Sequence, residues 1–360
     1  MRKQPIKIAG AGPSGLTAAI NLRKAGIDVV VYEKRSDAGK RFHGDLQGLE
    51  NWSDDRHVLD YLAQMNIGVN FDCDPFLSQT ITNGEESRTS FYDEDSPLCY
   101  LVKRGTHPGS LDQGLKQQAL KAGVPIHFGE TISLEEADIV ATGTISREIF
   151  AVDKGIIFET DLEDTNIFLI NDDVAYLGYT YLLVTGGYGC MCTVLFDRFQ
   201  ELDASFERTK AAFAKMFDFE IRDPKPVGGV GGFSTRNIFQ KGRSLYVGEA
   251  AGLQDMLWGF GIRTAVESGY LAARCIIEER DYTSAAQTFF QDRLKATLVG
   301  RFLWEQAGRG NYSFIVNERT NASAGNRLDL TFFYNFNRPQ KMIYPLAVRA
   351  MRRRYPNLRI

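Results

Sequence analysis

Residues 6–15 read Ile6-Lys7-Ile8-Ala9-Gly10-Ala11-Gly12-Pro13-Ser14-Gly15, a short apolar run that passes straight into G-x-G-x-x-G. Leu16, Ala19, Ile20 and Leu22 follow at helical spacing. Gly26 stops that helix, and Val29-Val30-Val31-Tyr32-Glu33 is a second strand ending in a carboxylate. Strand, glycines, helix, strand and terminal acid in this order predict a dinucleotide-binding βαβ unit. Gly10 permits the tight turn, Gly12 the approach of a pyrophosphate, and Gly15 close helix–strand packing. Pro13 and Ser14 open the helix, whose free N–H groups and positive dipole end face the phosphates. Glu33, 18 residues past Gly15, is placed for ribose hydroxyls. An ordinary strand-to-helix turn needs neither three glycines nor the acid.

Beyond Glu33 comes a basic, glycine-bearing loop that includes Lys34, Arg41 and His43-Gly44-Asp45. Helical periodicity returns near residues 57–65. Residues 69–101 are strand-like with polar turns such as Thr82-Asn83-Gly84-Glu85. The segment Tyr100-Leu101-Val102-Lys103-Arg104 ends a strand, and a helix follows from Leu111 to Ala122. Strands are predicted at 124–128 and 137–143, the second with Gly143 at its carboxyl end. From 153 to 235 aromatic and aliphatic residues alternate, as in Tyr179-Thr180-Tyr181-Leu182-Leu183-Val184, which predicts an antiparallel sheet. Gly228-Gly229-Val230-Gly231-Gly232 has no strand-to-helix context and reads as a turn rather than a second nucleotide site. Strand character resumes at Ser244-Leu245-Tyr246-Val247, and helices are predicted over 262–279 and 284–308.

The 360 residues are 44% hydrophobic with a net charge of −3, which suits a folded core and argues against a nucleic-acid footprint. Five cysteines without a C-x-x-C pair offer no zinc site or disulfide framework and fit a reducing compartment; no metal is expected. Cys190 and Cys192 share one side of a strand and read as small core residues. The first strand begins within a few residues of Met1, with no room for a signal peptide, and the apolar stretch 167–184 is interrupted by Asp172 and Asp173. Cytoplasmic location is the expectation.

A second signature lies more than 200 residues past the first: Gly248-Glu249-Ala250-Ala251-Gly252, then Gly259-Phe260-Gly261-Ile262 and a long helix. With it the chain resembles the FAD-dependent geranylgeranyl reductase family, within the superfamily similar to p-hydroxybenzoate hydroxylase. The resemblance covers residues 1 to about 280. It implies a Rossmann-like FAD-binding domain (1–72, 100–152 and 236–283), an inserted antiparallel-sheet substrate domain (73–99 and 153–235) and a C-terminal helical region (284–360), an α/β fold that is α+β overall. In the resemblance Glu249 reaches the ribityl hydroxyls, and the helix opened by Gly259, Phe260, Gly261 and Ile262 faces the flavin pyrimidine ring. Arg104 matches the arginine beside the flavin phosphates, and residues 141–147 resemble the hydroxylases' D-G-x-x-S segment. Glu249 stands where aspartate is usual, Met256 where proline is, and His43 where these reductases often carry cysteine.

His43 could act as an acid near the flavin edge or be a loop histidine without that role. Tyr179 and Tyr181 occupy the place of the family's aromatic strand and are candidate cavity residues, with Phe168, Tyr176 and Trp258 as further aromatics that either shape an apolar substrate site or fill the sheet core. The favoured reading is reduction of a carbon–carbon double bond in an isoprenoid or lipid-like substrate. A flavin monooxygenase and a non-catalytic flavin-binding redox protein are the alternatives. The W-x-W-x-I-P pattern of the flavin halogenases does not occur. No NAD(P)H domain is visible, so NAD(P)H would dock transiently or another donor would supply electrons. The tail from Arg338 has seven basic residues and no acid, interleaved with Met342, Ile343, Leu346, Val348 and Met351. That pattern suits either a helix packed on the body or one lying on a membrane surface.

Overall fold

The computed structural model describes residues 4–144, 149–234, 237–316 and 330–356. The chain opens with β1 (Ile6–Ala9), α1 (Pro13–Lys24), β2 (Val29–Glu33), β3 (Leu46–Glu50) and α2 (Val58–Gln64). There follow β4 (Asp74–Pro75), β5 (Ser78–Thr82), β6 (Ser87–Phe91), β7 (Cys99–Lys103), α3 (Leu111–Lys121), β8 (Ile126–Phe128) and β9 (Ile139–Val140). The aromatic segment gives β10 (Ala151–Glu159), β11 (Thr165–Leu169), β12 (Tyr179–Thr185), β13 (Tyr188–Leu195), α4 (Leu202–Met216) and β14 (Arg222–Gly231). The chain continues with β15 (Gln240–Lys241), β16 (Ser244–Tyr246), α5 (Ile262–Ile277), α6 (Tyr282–Ala307), α7 (Ser313–Val316), α8 (Thr331–Tyr334) and α9 (Arg338–Arg354).

One sheet has the order β15-β16-β9-β1-β2-β8, parallel except at its β15 edge. Ile6, Ile8, Val31 and Ile139 are buried in it, the continuous apolar reading expected of a sheet covered on both faces. The glycine turn after β1 and the end of β9 are neighbours, so the carboxyl ends of these strands together form the crevice at which an open α/β sheet binds ligands. α1 packs against α3 and α5. The fold is mixed α/β with a Rossmann-like sheet, as the βαβ spacing predicts.

The second sheet has the order β14-β10-β13-β12-β11-β5-β6 and is antiparallel except for the β11–β5 pair. Alternation divides its faces. Leu182, Val184 and Met191 face Phe206 and Phe213 of α4, a closed apolar layer. Tyr179, Tyr181, Leu183 and Cys192 point the other way, toward the Rossmann-like sheet. The Thr82–Glu85 turn joins β5 to β6 as expected, with Asn83 Oδ1 accepting the N–H groups of Glu85 at 3.0 Å and Glu86 at 2.8 Å. β4 lies apart in a small sheet with β3 and β7.

The glycine run at 228–232 corrects the turn reading. Gly228, Gly229 and Gly231 are in β14, paired with Lys154, Asp153 and Ala151 of β10. A β-carbon at 228 would lie 2.6 Å from the Asp153 carbonyl oxygen, so this position tolerates only glycine without a local shift. α9 packs along α6, and Gln340, Ala347 and Met351 form its buried face.

Candidate functional site

A cavity of about 850 Å³ lies between the two sheets. The first glycine turn lines it. Gly10 has φ +108°, and a β-carbon there would collide with the Ala141 carbonyl. Gly12 caps α1 without a side-chain hydrogen bond, and nothing lies within 4 Å of where its β-carbon would be. The first-turn amides of α1 are thus left for an acceptor in the cavity. Glu33 supports this turn directly: Oε2 accepts the Ala11 N–H at 2.9 Å and Oε1 the Arg35 N–H at 2.9 Å.

α5 borders the same cavity and begins in the same way. Gly261 is its N-cap, again with no side-chain cap, and no acidic residue occupies the first turn. α3, α6 and α9 differ: Ser110, Asp281 and Asn337 accept their first-turn N–H groups. α2, α4 and α8 also start without a side-chain cap; of these uncapped starts, those of α1 and α5 border the cavity. Gly259, at φ +83°, lets the backbone reach that start. Asp255 braces it, accepting the N–H groups of Leu257 (2.8 Å) and Trp258 (3.1 Å) and the Tyr334 hydroxyl (2.7 Å). Burial pushes the Asp255 acid up to about 6 against those hydrogen bonds. Phe260 is seated edge-on against Trp52, with ring centroids 4.8 Å apart.

Glu249 reaches into the cavity from the segment after β16. Its Oε1 accepts from the Thr144 hydroxyl and from the Gly232 N–H at 3.2 Å, and Oε2 lies 3.4 Å from Arg41 Nη1. Arg41 Nη2 donates to the Val230 carbonyl at 2.7 Å. Arg104 is held by a buried two-point pair with Asp112 (Nε–Oδ2 2.9 Å, Nη2–Oδ1 2.9 Å) and donates from Nη1 to Gln47 Oε1 at 2.8 Å. It borders the cavity, but this pair gives it a framework role as well.

The sheet closes the cavity with three cross-strand rungs: Asp153, Val194 and Tyr179; Gly155, Cys192 and Tyr181; Ile157, Cys190 and Leu183. Tyr179 donates its hydroxyl to the Trp258 carbonyl, tying the sheet to the start of α5. Burial pushes the Tyr179 and Tyr181 phenols well above their ordinary range. Cys190 and Cys192 have sulfurs 3.9 Å apart; both are buried, and Cys192 faces the cavity. Asp153 is the one acid on these rungs. Burial and the neighbouring Asp45 carboxylate raise its acid to about 6, although Arg41 and the Gly229 N–H pull it down. The signal for it was present in the alternation Ala151-Val152-Asp153-Lys154-Gly155, which puts 151, 153 and 155 on one face.

Gly10, Gly12, Pro13, Ser14, Glu33, Lys34, Arg41, Arg104, Gly143, Glu249, Gly259, Phe260, Gly261, Ile262, Tyr179 and Tyr181 all border the cavity. Gly15 and Gly248 stand behind it: a β-carbon on Gly15 would strike the Gly10 carbonyl, and one on Gly248 would lie 2.9 Å from Ser14 Oγ. His43 is exposed and outside the cavity lining, its carbonyl 3.2 Å from the His107 ring. Tyr176 is also outside, stacked under Arg198 at 3.6 Å. Phe168 and Trp258 are cavity residues. Ile145, Ser146 and Arg147 of the D-G-x-x-S-like segment lie outside the described residues. Among the described residues no group of three or more His, Cys, Asp or Glu could hold a metal, and no helix is long and apolar enough to cross a membrane.

Residues 8–73 match the model of the NAD(P)-binding Rossmann-like domain. A geranylgeranyl bacteriochlorophyll reductase-like protein from Thermoplasma acidophilum superposes with a TM-score of 0.69 at 16% identity, over 97% of this chain and 98% of that one. The chain has the fold of an FAD-binding oxidoreductase. A flavin-dependent brominase is similar over 97% of this chain and 99% of its own (TM-score 0.63, 14% identity). So is 2-methyl-3-hydroxypyridine-5-carboxylic acid oxygenase, over 91% and 97% (TM-score 0.56, 16% identity). No curated protein sequence matches the chain. These neighbours agree with the resemblance drawn from the two glycine signatures.

The residues present fit an extended dinucleotide. The uncapped starts of α1 and α5 and the carboxylates of Glu33 and Glu249 line one cavity, and Gly12 leaves open space at the first of these starts.

Proposed function

We propose that the protein is an FAD-dependent oxidoreductase acting on an apolar substrate, with reduction of a carbon–carbon double bond as its reaction. The observation that carries this reading is the continuity of one cavity from the uncapped start of α1, past that of α5, to an aromatic sheet face with a single carboxyl. In this reading the amides of α1 and the Gly10–Gly15 turn hold the pyrophosphate, with Lys34 and Arg41 adding positive charge. Glu33 takes the ribose, Glu249 the ribityl chain, and Arg104 stands beside the phosphates. The N-terminus of α5 offsets negative charge at the pyrimidine edge. Bound FAD would supply two-electron hydride chemistry, replenished by NAD(P)H docking transiently or by another donor.

The chain's own residues do the rest. Phe168, Tyr179, Tyr181 and Trp258 exclude water and orient an isoprenoid or lipid-like substrate. Asp153 holds a proton on its carboxyl next to that face. An acid near 6 remains partly protonated toward neutral pH and can deliver that proton to the carbon that does not receive hydride. In this reading 1–72, 100–152 and 236–283 form the FAD-binding part, 73–99 and 153–235 the substrate part, and 284–360 the C-terminal region.

The test is anaerobic. Purified protein reconstituted with FAD should be yellow, and after photoreduction an apolar olefin should reoxidise it without oxygen. Reoxidation by oxygen alone, with a hydroxylated product, would replace this reading with a monooxygenase. Retention of FAD without turnover under any condition would leave a flavin-binding redox protein. Failure to bind FAD at all would remove all three.

A further inference from the structure

Helix α9 is the most one-sidedly charged element of the chain. At 100° per residue, Gln340, Ala347 and Met351 cluster on one face and are buried. The opposite face carries Arg338, Met342, Pro345, Leu346, Arg349 and Arg353, and every one of them is exposed. Met342 is 82% exposed and Leu346 59% exposed, among the most open large apolar side chains in the molecule. They stand one helical turn apart, between basic residues on both sides. Pro345 adds a third apolar surface and removes one internal N–H donor.

The charge is as uneven as the exposure. The segment from Arg338 to the end holds seven of the 42 basic residues and none of the 45 acidic ones, so the preceding residues carry a net charge of −10. An anionic surface would repel most of the molecule and attract this helix. That makes the helix an orienting contact as well as an adhesive one.

We propose that the outward face of α9 docks on an anionic phospholipid bilayer, with Met342, Pro345 and Leu346 entering the headgroup–acyl boundary and Arg338, Arg349 and Arg353 meeting lipid phosphates. Charge complementarity selects this occupant over a second copy of the chain. Symmetric pairing of two such faces would set arginine against arginine with no acid in the helix to relieve it. The proposal stands apart from the flavin reading: it needs neither cofactor nor substrate, and its failure leaves that reading intact.

The full-length protein as purified is tested by sedimentation with vesicles of phosphatidylcholine alone and of phosphatidylcholine with 30 mole per cent phosphatidylglycerol. Wild type should pellet with the anionic vesicles, not with the neutral ones, and release in 0.5 M salt. Met342→Asp/Leu346→Asp should lower anionic-vesicle partitioning by roughly tenfold or more, because two carboxylates replace the inserted side chains. Both positions are solvent-exposed, and circular dichroism of the variant should match wild type. Arg349→Ser/Arg353→Ser should weaken binding and its salt dependence together. Absence of wild-type binding to anionic vesicles would overturn the proposal, as would equal binding by the aspartate variant. Lipid-free self-association of wild type that the same substitutions abolish would assign the face to a second copy instead.

Discussion

Arg41 and Glu249 meet across the cavity, Nη1 to Oε2 at 3.4 Å, joining the loop after β2 to the segment after β16. The same carboxylate takes the Thr144 hydroxyl and the Gly232 N–H, so its acceptor capacity is shared before any ligand arrives. Glu249→Ala should weaken FAD binding by about 1.5–3 kcal/mol, roughly 10- to 150-fold in Kd, as charge-assisted hydrogen bonds are lost. Flavin fluorescence quenching on titration into apoprotein checks this. An unchanged Kd would show that Glu249 serves only its protein partners.

Gly12→Asp offers a sharper separation of folding from binding. The site has open space for a side chain, and aspartate is a preferred N-cap, so α1 should gain a few tenths of a kcal/mol. The same carboxylate would occupy the helix amides and repel a pyrophosphate. The expected protein melts at or slightly above FAD-free wild type yet is colourless, and FAD no longer raises its Tm. Retained yellow colour would exclude this turn as the phosphate site.

Arg104 and Asp112 form the kind of buried pair whose rupture is costly. Arg104→Ala should destabilise by about 3–5 kcal/mol, because it leaves Asp112 buried with only the Gly105 N–H as partner among the bonds described here. Arg104→Ala/Asp112→Ala should recover part of that loss. Guanidinium denaturation midpoints of the three proteins give the coupling.

Asp153 makes a prediction with a definite sign. Its folded pKa of about 6 lies above the ordinary 3.8, so the fold disfavours the ionised form. Stability conferred by the protonated acid is full below about pH 4, is lost as pH rises, and is gone above about pH 6. Asp153→Asn should therefore match wild type in acid and become relatively more stable between those values, with a flat difference beyond. Melting temperatures from pH 4 to 8 test it. The same variant should slow olefin-dependent flavin reoxidation by about 100-fold.

The local parts of the site were legible because their signal is short-range. Gly10, Gly12 and Glu33 fall within one βαβ unit, and Gly261 opens a long amphipathic helix that announces itself by period. The remainder depends on register. Gly228, Gly229 and Gly231 form an edge strand, yet a strand built of glycine carries none of the β-branched signal by which strands are recognised. Asp153 looks like any half-exposed strand acid until β13 and β12 align it with Val194 and Tyr179. Arg104 reads equally well as a ligand arginine or as half of a buried pair, and only the start of α3 supplies Asp112. His43 shows the converse: adjacency in sequence to buried Asp45 did not turn its ring inward.

The uncapped starts of α1 and α5 lie about 250 positions apart in the chain. During synthesis at about 5–20 residues per second, the second reaches the ribosome exit roughly 12–50 s after the first. The first helix start therefore waits while the intervening sheet is made, and a ligand that needs both starts can bind only after the second has been synthesised.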